Sequence, residues 1–259
     1  CRKYYICMKK LFILACSLLS VISTTAQIVP LPKSESYTEG EFTITDKSCL
    51  VYNSRVRDAA TYLLNYLPFK QILSSQKVMD GDVVLSVNTF MEPEAYRLTV
   101  DNKNITIVGG GYGGVFNGIQ TLLQLLPSDV YNGKKKLPVT VPCCTIEDNP
   151  KFDYRGFMLD VARTWISADR VKRYIDLMAH LKLNKLHFHL TDDEGWRIEI
   201  KSHPELATVG GFRGGDSPVY PRYAKFDEKW GGYYTQEEFL AIVIIERFDC
   251  LGKIIGHFS

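Results

Sequence analysis

Residues 41–45, EFTIT, alternate polar and apolar side chains with a period of two, as a strand buried on one face requires. Residues 56–67 instead put Ala59, Ala60, Leu63, Leu64 and Leu67 on one helical stripe, which Pro68 closes. Residues 83–87, VVLSV, predict another strand. The runs YRLTV (96–100) and ITIV (105–108) flank the turn-forming Asp101-Asn102-Lys103-Asn104 and predict a hairpin. A helix is predicted over 115–126, before Pro127. These elements make a small α+β unit over residues 28–149 with a largely antiparallel sheet.

Residues 138–150 read as a strand running into a linker punctuated by Glu147-Asp148-Asn149-Pro150, and the pattern then changes. Residues 155–161 form a strand pattern. Residues 168–181 form a helix pattern with Val171, Tyr174, Ile175, Leu177 and Met178 inward, and 185–190 form a second strand pattern. Two strands joined by a helical crossover pair in parallel. Thr235-Gln236-Glu237-Glu238 has the capping-box arrangement that opens a further helix. Repeated βα units of this kind begin a (β/α)8 barrel, yet the residues after Pro150 number fewer than half of the roughly 250 that a full barrel takes. The expected class is therefore α/β: an α+β domain (28–149), then an incomplete TIM barrel (150–259).

Composition narrows the function. The 259 residues are 46% hydrophobic with a formal net charge of +2. That balance argues against nucleic acid as the main partner, because phosphate binding shows as a basic excess on one face. The one dense basic run, Lys134-Lys135-Lys136, sits beside Asn132-Gly133 and reads as a solvated turn tip. Near the amino terminus, Met8-Lys9-Lys10, the apolar residues 11–22 and the small-residue exit through Thr24 and Ala26 have the form of a secretory signal peptide (8–26) cut before Gln27. The apolar run is too short to span a bilayer comfortably, so no transmembrane span is expected and the protein is expected to be exported. Leu14-Ala15-Cys16 offers an alternative lipoprotein cut anchoring the chain at Cys16, and residues 1–7 are set aside as preceding the start at Met8. Of seven cysteines, Cys49, Cys143, Cys144 and Cys250 lie after the leader. Their spacing forms no CxxC pair and demands no disulfide.

Two tempting motifs weaken on inspection. Residues 109–114, GGGYGG, satisfy G-x-G-x-x-G between a strand and a helix. The dinucleotide-binding reading needs that strand to open a parallel βαβ unit with an acidic residue about twenty positions on. Here the strand is the second arm of a hairpin, so the glycines read as a turn that lets the helix pack close to the sheet, and no cofactor is assigned. His187 and His189 share one face of a strand and with a nearby aspartate would suit a divalent metal in a hydrolase. The remaining histidines (His180 in a helix, His203 before Pro204, His257) do not complete a ligand set, and no metal is assigned.

Parallel barrels carry their functional residues where strands end. The first such strand runs out at Asp160-Val161-Ala162-Arg163, the second at Thr191-Asp192-Asp193-Glu194. A guanidinium thus faces carboxylates across one mouth. Arginine offers a rigid fork of donors and carboxylates offer acceptors, which together suit the adjacent hydroxyls of a sugar ring. Trp165, Trp196 and Trp230 are as well suited to a core as to a platform for that ring. Arg163 also has a plainer reading, an ion pair with Asp160 or Asp192.

Residues 155–163, RGFMLDVAR, and 183–200, LNKLHFHLTDDEGWRIEI, resemble the opening barrel strands of the family-20 glycoside hydrolases, the β-N-acetylhexosaminidases. Residues 204–206, 210–213 and 233–238 extend the likeness, and 114–126, GVFNGIQTLLQLL, is similar to the last helix of the α+β domain that precedes the family's barrel. The resemblance implies removal of terminal N-acetyl-β-hexosamine residues from glycans, with retention and with the substrate's own acetamido oxygen as nucleophile. It implies that Arg163 holds ring hydroxyls of the amino sugar and that Asp192 braces the site, with His189 and Asp193 in support. The family's Asp–Glu pair, which orients the acetamido group and protonates the leaving oxygen, lies at the end of a later strand. No residue of this sequence is assigned to it, because Glu237-Glu238 opens a helix. The residues after Glu238 also depart from the family pattern: Gly256-His257 lacks the preceding proline and acidic pair. A polypeptide of this sequence is expected to be inactive, with a non-catalytic carbohydrate-binding role and, less well supported, a metal-dependent hydrolase as alternatives.

Overall fold

The computed structural model describes residues 28–73, 77–132, 137–219, 227–248 and 253–258. The leader over 8–26, Cys16, the lysine run at 134–136 and Cys250 lie outside the described residues. Among the described residues no helix is long and apolar enough to cross a membrane.

The first seven strands form one sheet: β1 (Ser34–Ile44), β2 (Cys49–Tyr52), then helix α1 (Arg57–Leu64), β3 (Lys70–Leu73), β4 (Val83–Val87), β5 (Tyr96–Val100), β6 (Ile105–Gly109), helix α2 (Tyr112–Leu125) and β7 (Val139–Asp148). Their spatial order is β1-β7-β5-β6-β4-β2-β3. The expectation of a largely antiparallel sheet is wrong. β1–β7, β5–β7 and β5–β6 are antiparallel, whereas β4–β6, β2–β4 and β2–β3 are parallel. The hairpin β5–β6 forms where its turn residues put it, with the Asp101 carboxylate accepting from the N–H groups of Lys103 and Asn104 at 2.7 and 2.8 Å. The glycine run after β6 works as a close-packing turn: a Cβ on Gly110 would lie 1.9 Å from the Glu92 carbonyl oxygen, and one on Gly114 2.1 Å from that of Ala95.

The elements that follow are β8 (Gly156–Asp160), helix α3 (Ala168–His180), β9 (Lys185–Asp192), β10 (Gly195–Trp196), helix α4 (Glu205–Thr208), β11 (Phe212–Arg213), β12 (Trp230–Gly231), helix α5 (Gln236–Phe248) and β13 (Lys253–Phe258); β8, β9, β10 and β13 form a second sheet, and β11 and β12 a separate two-stranded one. β8 and β13 both pair in parallel with β9. The tail that departs from the family's motif therefore still forms a helix and a parallel strand. Period-two alternation along β9 sends Leu186, Phe188 and Leu190 into a core with Val171, Ile175 and Met178 of α3, and leaves His187 and His189 on the other face. Tyr174 and Leu177, expected inward, are 37% and 53% exposed. The buried line on α3 is the narrower i, i+4, i+7 stripe, and Tyr174 instead stacks on Phe157, ring centroids 5.9 Å apart. The capping box of α5 is complete: the Glu238 N–H donates to Thr235 Oγ1 (3.1 Å) and the Thr235 N–H to Glu238 Oε2 (3.0 Å).

The sheets are joined by buried and half-buried polar contacts. Arg155, at the start of β8, forms a two-pronged ion pair with Glu94 at 2.9 Å on each prong, and its Nε donates to the Lys182 carbonyl at 2.8 Å. Lys182 adopts a left-handed backbone, φ 58°, and inserts its amine between the Tyr96 hydroxyl (2.9 Å) and Asp148 (3.5 Å) of the first sheet. Gln124 of α2 donates to the His180 carbonyl at the end of α3, 3.0 Å away.

Candidate functional site

Past Asp160 the chain leaves the ladder of β8. The N–H groups of Val161 and Ala162 both donate to one acceptor, the His189 carbonyl of β9, each at 3.2 Å. The chain then turns about the Asp160 carboxylate, whose Oδ1 accepts from the Arg163 N–H at 3.0 Å and whose Oδ2 accepts from Arg163 Nη1 at 2.8 Å. The other prong of the guanidinium reaches Asp192 Oδ2, at the end of β9, at 2.6 Å. That oxygen also lies 2.9 Å from His189 Nε2, and Asp192 Oδ1 accepts from the Asp193 N–H at 2.7 Å.

The ends of two parallel strands thus present one connected set: Asp160, Arg163, Asp192 and His189. Both readings of Arg163 meet here, because the ion pairs fix its aim while 44% of the side chain faces solvent. Burial works against ionisation of Asp160, but the Arg163 N–H and guanidinium outweigh it and hold the carboxyl below the usual carboxylate range. The Asp193 N–H, then the His189 ring and the Arg163 charge, hold Asp192 low as well, against some desolvation. The hydrogen bond to Asp160, helped by the surrounding carboxylates, raises Arg163 above the ordinary arginine value. At neutral pH the set is one exposed guanidinium between two carboxylates, able to donate to and accept from vicinal hydroxyls.

Asp193 contributes its backbone to this arrangement: its N–H goes to Asp192 and its carbonyl accepts from Arg213 Nη2 at 3.0 Å, while its side chain is exposed. The three tryptophans are half-buried. Trp165 packs on Tyr234 at 4.7 Å between centroids, and Trp196 Nε1 donates to the Ile198 carbonyl at 2.7 Å. The rings of His187 and His189 are 6.4 Å apart, and among the described residues no group of three or more His, Cys, Asp or Glu side chains is arranged to hold a metal ion. Cys49, Cys143 and Cys144 are free thiols.

Arg197 has no place in the expectations and is the largest fully buried side chain among the described residues, with no exposed surface. In the run Trp196-Arg197-Ile198-Glu199-Ile200 it shares a parity with Glu199 and so reads as solvent-facing. The one local signal is Gly195, two residues before it; Gly211, Gly231 and Gly232 come near Arg197 only through the fold.

Known proteins match this chain over most of its length. The family model described as glycosyl hydrolase family 20, domain 2, matches residues 25–149, and that of the family's catalytic domain matches residues 152–245. A β-hexosaminidase of Vibrio furnissii is 40% identical over 222 residues, covering 85% of this chain and 35% of the relative. One of Porphyromonas gingivalis is 38% identical over 226 residues, covering 83% of this chain and 28% of the relative. Among solved structures, a family-20 exo-β-N-acetylglucosaminidase from Vibrio harveyi in complex with N-acetylglucosamine superposes with a TM-score of 0.79 at 34% identity, over 90% of this chain and 36% of that one. The β-N-acetylhexosaminidase of Streptomyces coelicolor gives 0.73 at 33% identity, over 91% and 47%. The chain spans about a third of the length of the curated relatives it matches. With both models matched in order, the chain belongs to glycosyl hydrolase family 20.

Proposed function

We propose that this chain supplies the sugar-holding part of a retaining β-N-acetylhexosaminidase that removes terminal N-acetylhexosamine residues from glycans. The observation that carries the reading is the exposed Arg163 guanidinium, aimed by Asp160 and Asp192 from the ends of two neighbouring parallel strands. In this reading β8, β9 and β13 belong to a (β/α)8 barrel, Arg163 donates to adjacent ring hydroxyls, Asp192 with His189 fixes the guanidinium, and Asp193 supports the turn. The acetamido oxygen of the substrate attacks the anomeric carbon, and water later opens the resulting ring with net retention. The Asp–Glu pair that orients that oxygen and protonates the leaving group belongs to a strand outside the matched segments, so a polypeptide of residues 27–259 is proposed to hold a partial barrel and to turn over no substrate. General acid catalysis alone supplies about 10²–10⁴-fold. Export, with the leader removed before Gln27, completes the proposal and is read by amino-terminal sequencing of the mature protein.

The test compares residues 27–259 with a form extended through the remaining barrel strands, on an aryl N-acetyl-β-glucosaminide. The extended form is expected to be active and the shorter one silent. In the extended form Arg163→Ala should lower kcat/KM about a hundredfold, since two charge-assisted hydrogen bonds are worth about 1.5 kcal/mol each. Equal rates from the two forms, or an Arg163→Ala enzyme of full activity, would sink the proposal.

A further inference from the structure

Arg197 stands behind the sugar-holding residues and touches none of their side chains. Its guanidinium has five N–H bonds, and five backbone carbonyls meet them. Nε donates to Val161 (2.8 Å), and Nη2 to Ala162 (2.7 Å) and Glu194 (3.4 Å). Nη1 donates to Gly211 and to Gly232, the latter at 3.2 Å. Trp165 and Trp230 each place their rings 5.9 Å from its central carbon. The loops are shaped around this group: a Cβ on Gly195 would lie 2.2 Å from Arg197 Cζ, and one on Gly232 2.4 Å from the Trp165 ring.

What the fork grips matters for the site. Val161 and Ala162 are the two residues before Arg163, and their N–H groups are already held by the His189 carbonyl. Their peptide units are thus pinned on the N–H side by β9 and on the carbonyl side by Arg197. Glu194 lies two residues after Asp192, in the turn that closes β9 onto β10 through the Asp192–Gly195 pair. One planar cation therefore ties the segment that carries Arg163 to the segment that carries Asp192. No other side chain type offers this: lysine has three donors on a freely turning ammonium, and a neutral amide has two.

We propose that Arg197 is the positioning residue of the sugar-holding site, setting the separation of Arg163 and Asp192 through the backbone carbonyls it binds. The inference rests on the reading of Arg163 and Asp192 as sugar-holding groups, but its test does not depend on sugar. The probe is the titration of the Asp192 carboxyl, followed by carbon NMR in the purified chain. Arg163→Ala sets the scale, because it removes the cation outright. Arg197→Lys keeps the charge and loses the fork. If the fork sets the separation, Arg197→Lys moves the Asp192 midpoint in the same direction as Arg163→Ala and by at least half as much. Gly195→Ala, which leaves Arg197 in place but pushes on its guanidinium, moves it the same way and stands in if Arg197→Lys does not fold. A folded variant with a lowered melting temperature and an unmoved Asp192 midpoint shows Arg197 to be structural only and overturns the inference. A separate measurement, N-acetylglucosamine binding by wild type and by Arg163→Ala in the extended form, reports on the sugar-holding reading alone.

Discussion

Glu94→Gln probes the junction between the two sheets. Glu94 meets Arg155 with both carboxylate oxygens at 2.9 Å, the two side chains being 32% and 15% exposed, and Asn184 approaches the same carboxylate at 3.4 Å. The glutamine keeps the shape, yet turns one acceptor into an NH2 that faces the guanidinium, so one hydrogen bond is lost and a nearly buried cation loses its counter-charge. Removing one partner of a fully buried pair costs about 3–5 kcal/mol. Partial solvent access to Glu94 screens the interaction, and about 2 kcal/mol is expected here. At about 2–4 °C per kcal/mol for a chain of this size, the melting temperature at pH 7 should fall by about 4–8 °C. A pH series adds the diagnostic. Burial alone would raise the Glu94 pKa, but the hydrogen bonds and charge of Arg155 more than compensate and hold it below the ordinary value. The folded state therefore binds fewer protons than the unfolded one as pH falls past the unfolded carboxylate pKa. The stabilisation is fully present above about pH 5 and is lost as pH falls through the depressed folded pKa. Wild type and Glu94→Gln should converge in acid. A drop under about 1 °C at pH 7, or a deficit that stays constant from about pH 6 to the acid limit of folding, refutes the reasoning.

Lys182 gives a pH signature of the same sign in an alkaline window: desolvation lowers its amine to about 8, against the pull of Asp148, while the unfolded amine titrates near its ordinary value. Between those values the unfolded chain binds the extra proton, so stability relative to Lys182→Met should rise as pH increases from about 8 towards 10. Parallel pH profiles of the two proteins in urea melts contradict this. Thr235→Ala removes one half of the capping box of α5, worth about 1 kcal/mol, and should lower the melting temperature by about 2–4 °C. A melt that does not shift places the start of α5 outside the cooperative unit.

The elements with strong local period were legible in the sequence. β9 and the buried line of α3 follow from their alternation and helical spacing, and β5–β6 from four turn residues in a row. The parallel half of the first sheet was not, because β2, β4 and β6 become neighbours only after chain crossovers, and no contact between sequence neighbours records that. The inward assignment of Tyr174 and Leu177 failed because an apolar stripe does not say how wide the covered face is. The meeting of Arg163 with Asp192 was legible because strand ends can be read from the pattern, whereas His189 entered only through the family resemblance. Arg197 was hidden, since its partners are carbonyl oxygens, which every sequence has everywhere. Only Gly195, two residues before it, hinted at a tight enclosure.

The shared acceptor at His189 sets the phase of everything after it. In a regular strand, residues three apart point to opposite faces, so a straight continuation of β8 would turn Arg163 away from Asp160. Because Val161 and Ala162 spend their two N–H groups on one carbonyl, the chain advances one residue without advancing along its neighbour, as in a bulge, and Arg163 returns to the side of Asp160. Spacing is therefore as much a part of this corner as composition. Inserting one residue after Val161 would keep every side chain named above, yet would swing the guanidinium to the opposite side of the sheet. The length of the segment from Asp160 to Arg163 is thus as restrictive as the identity of its two ends.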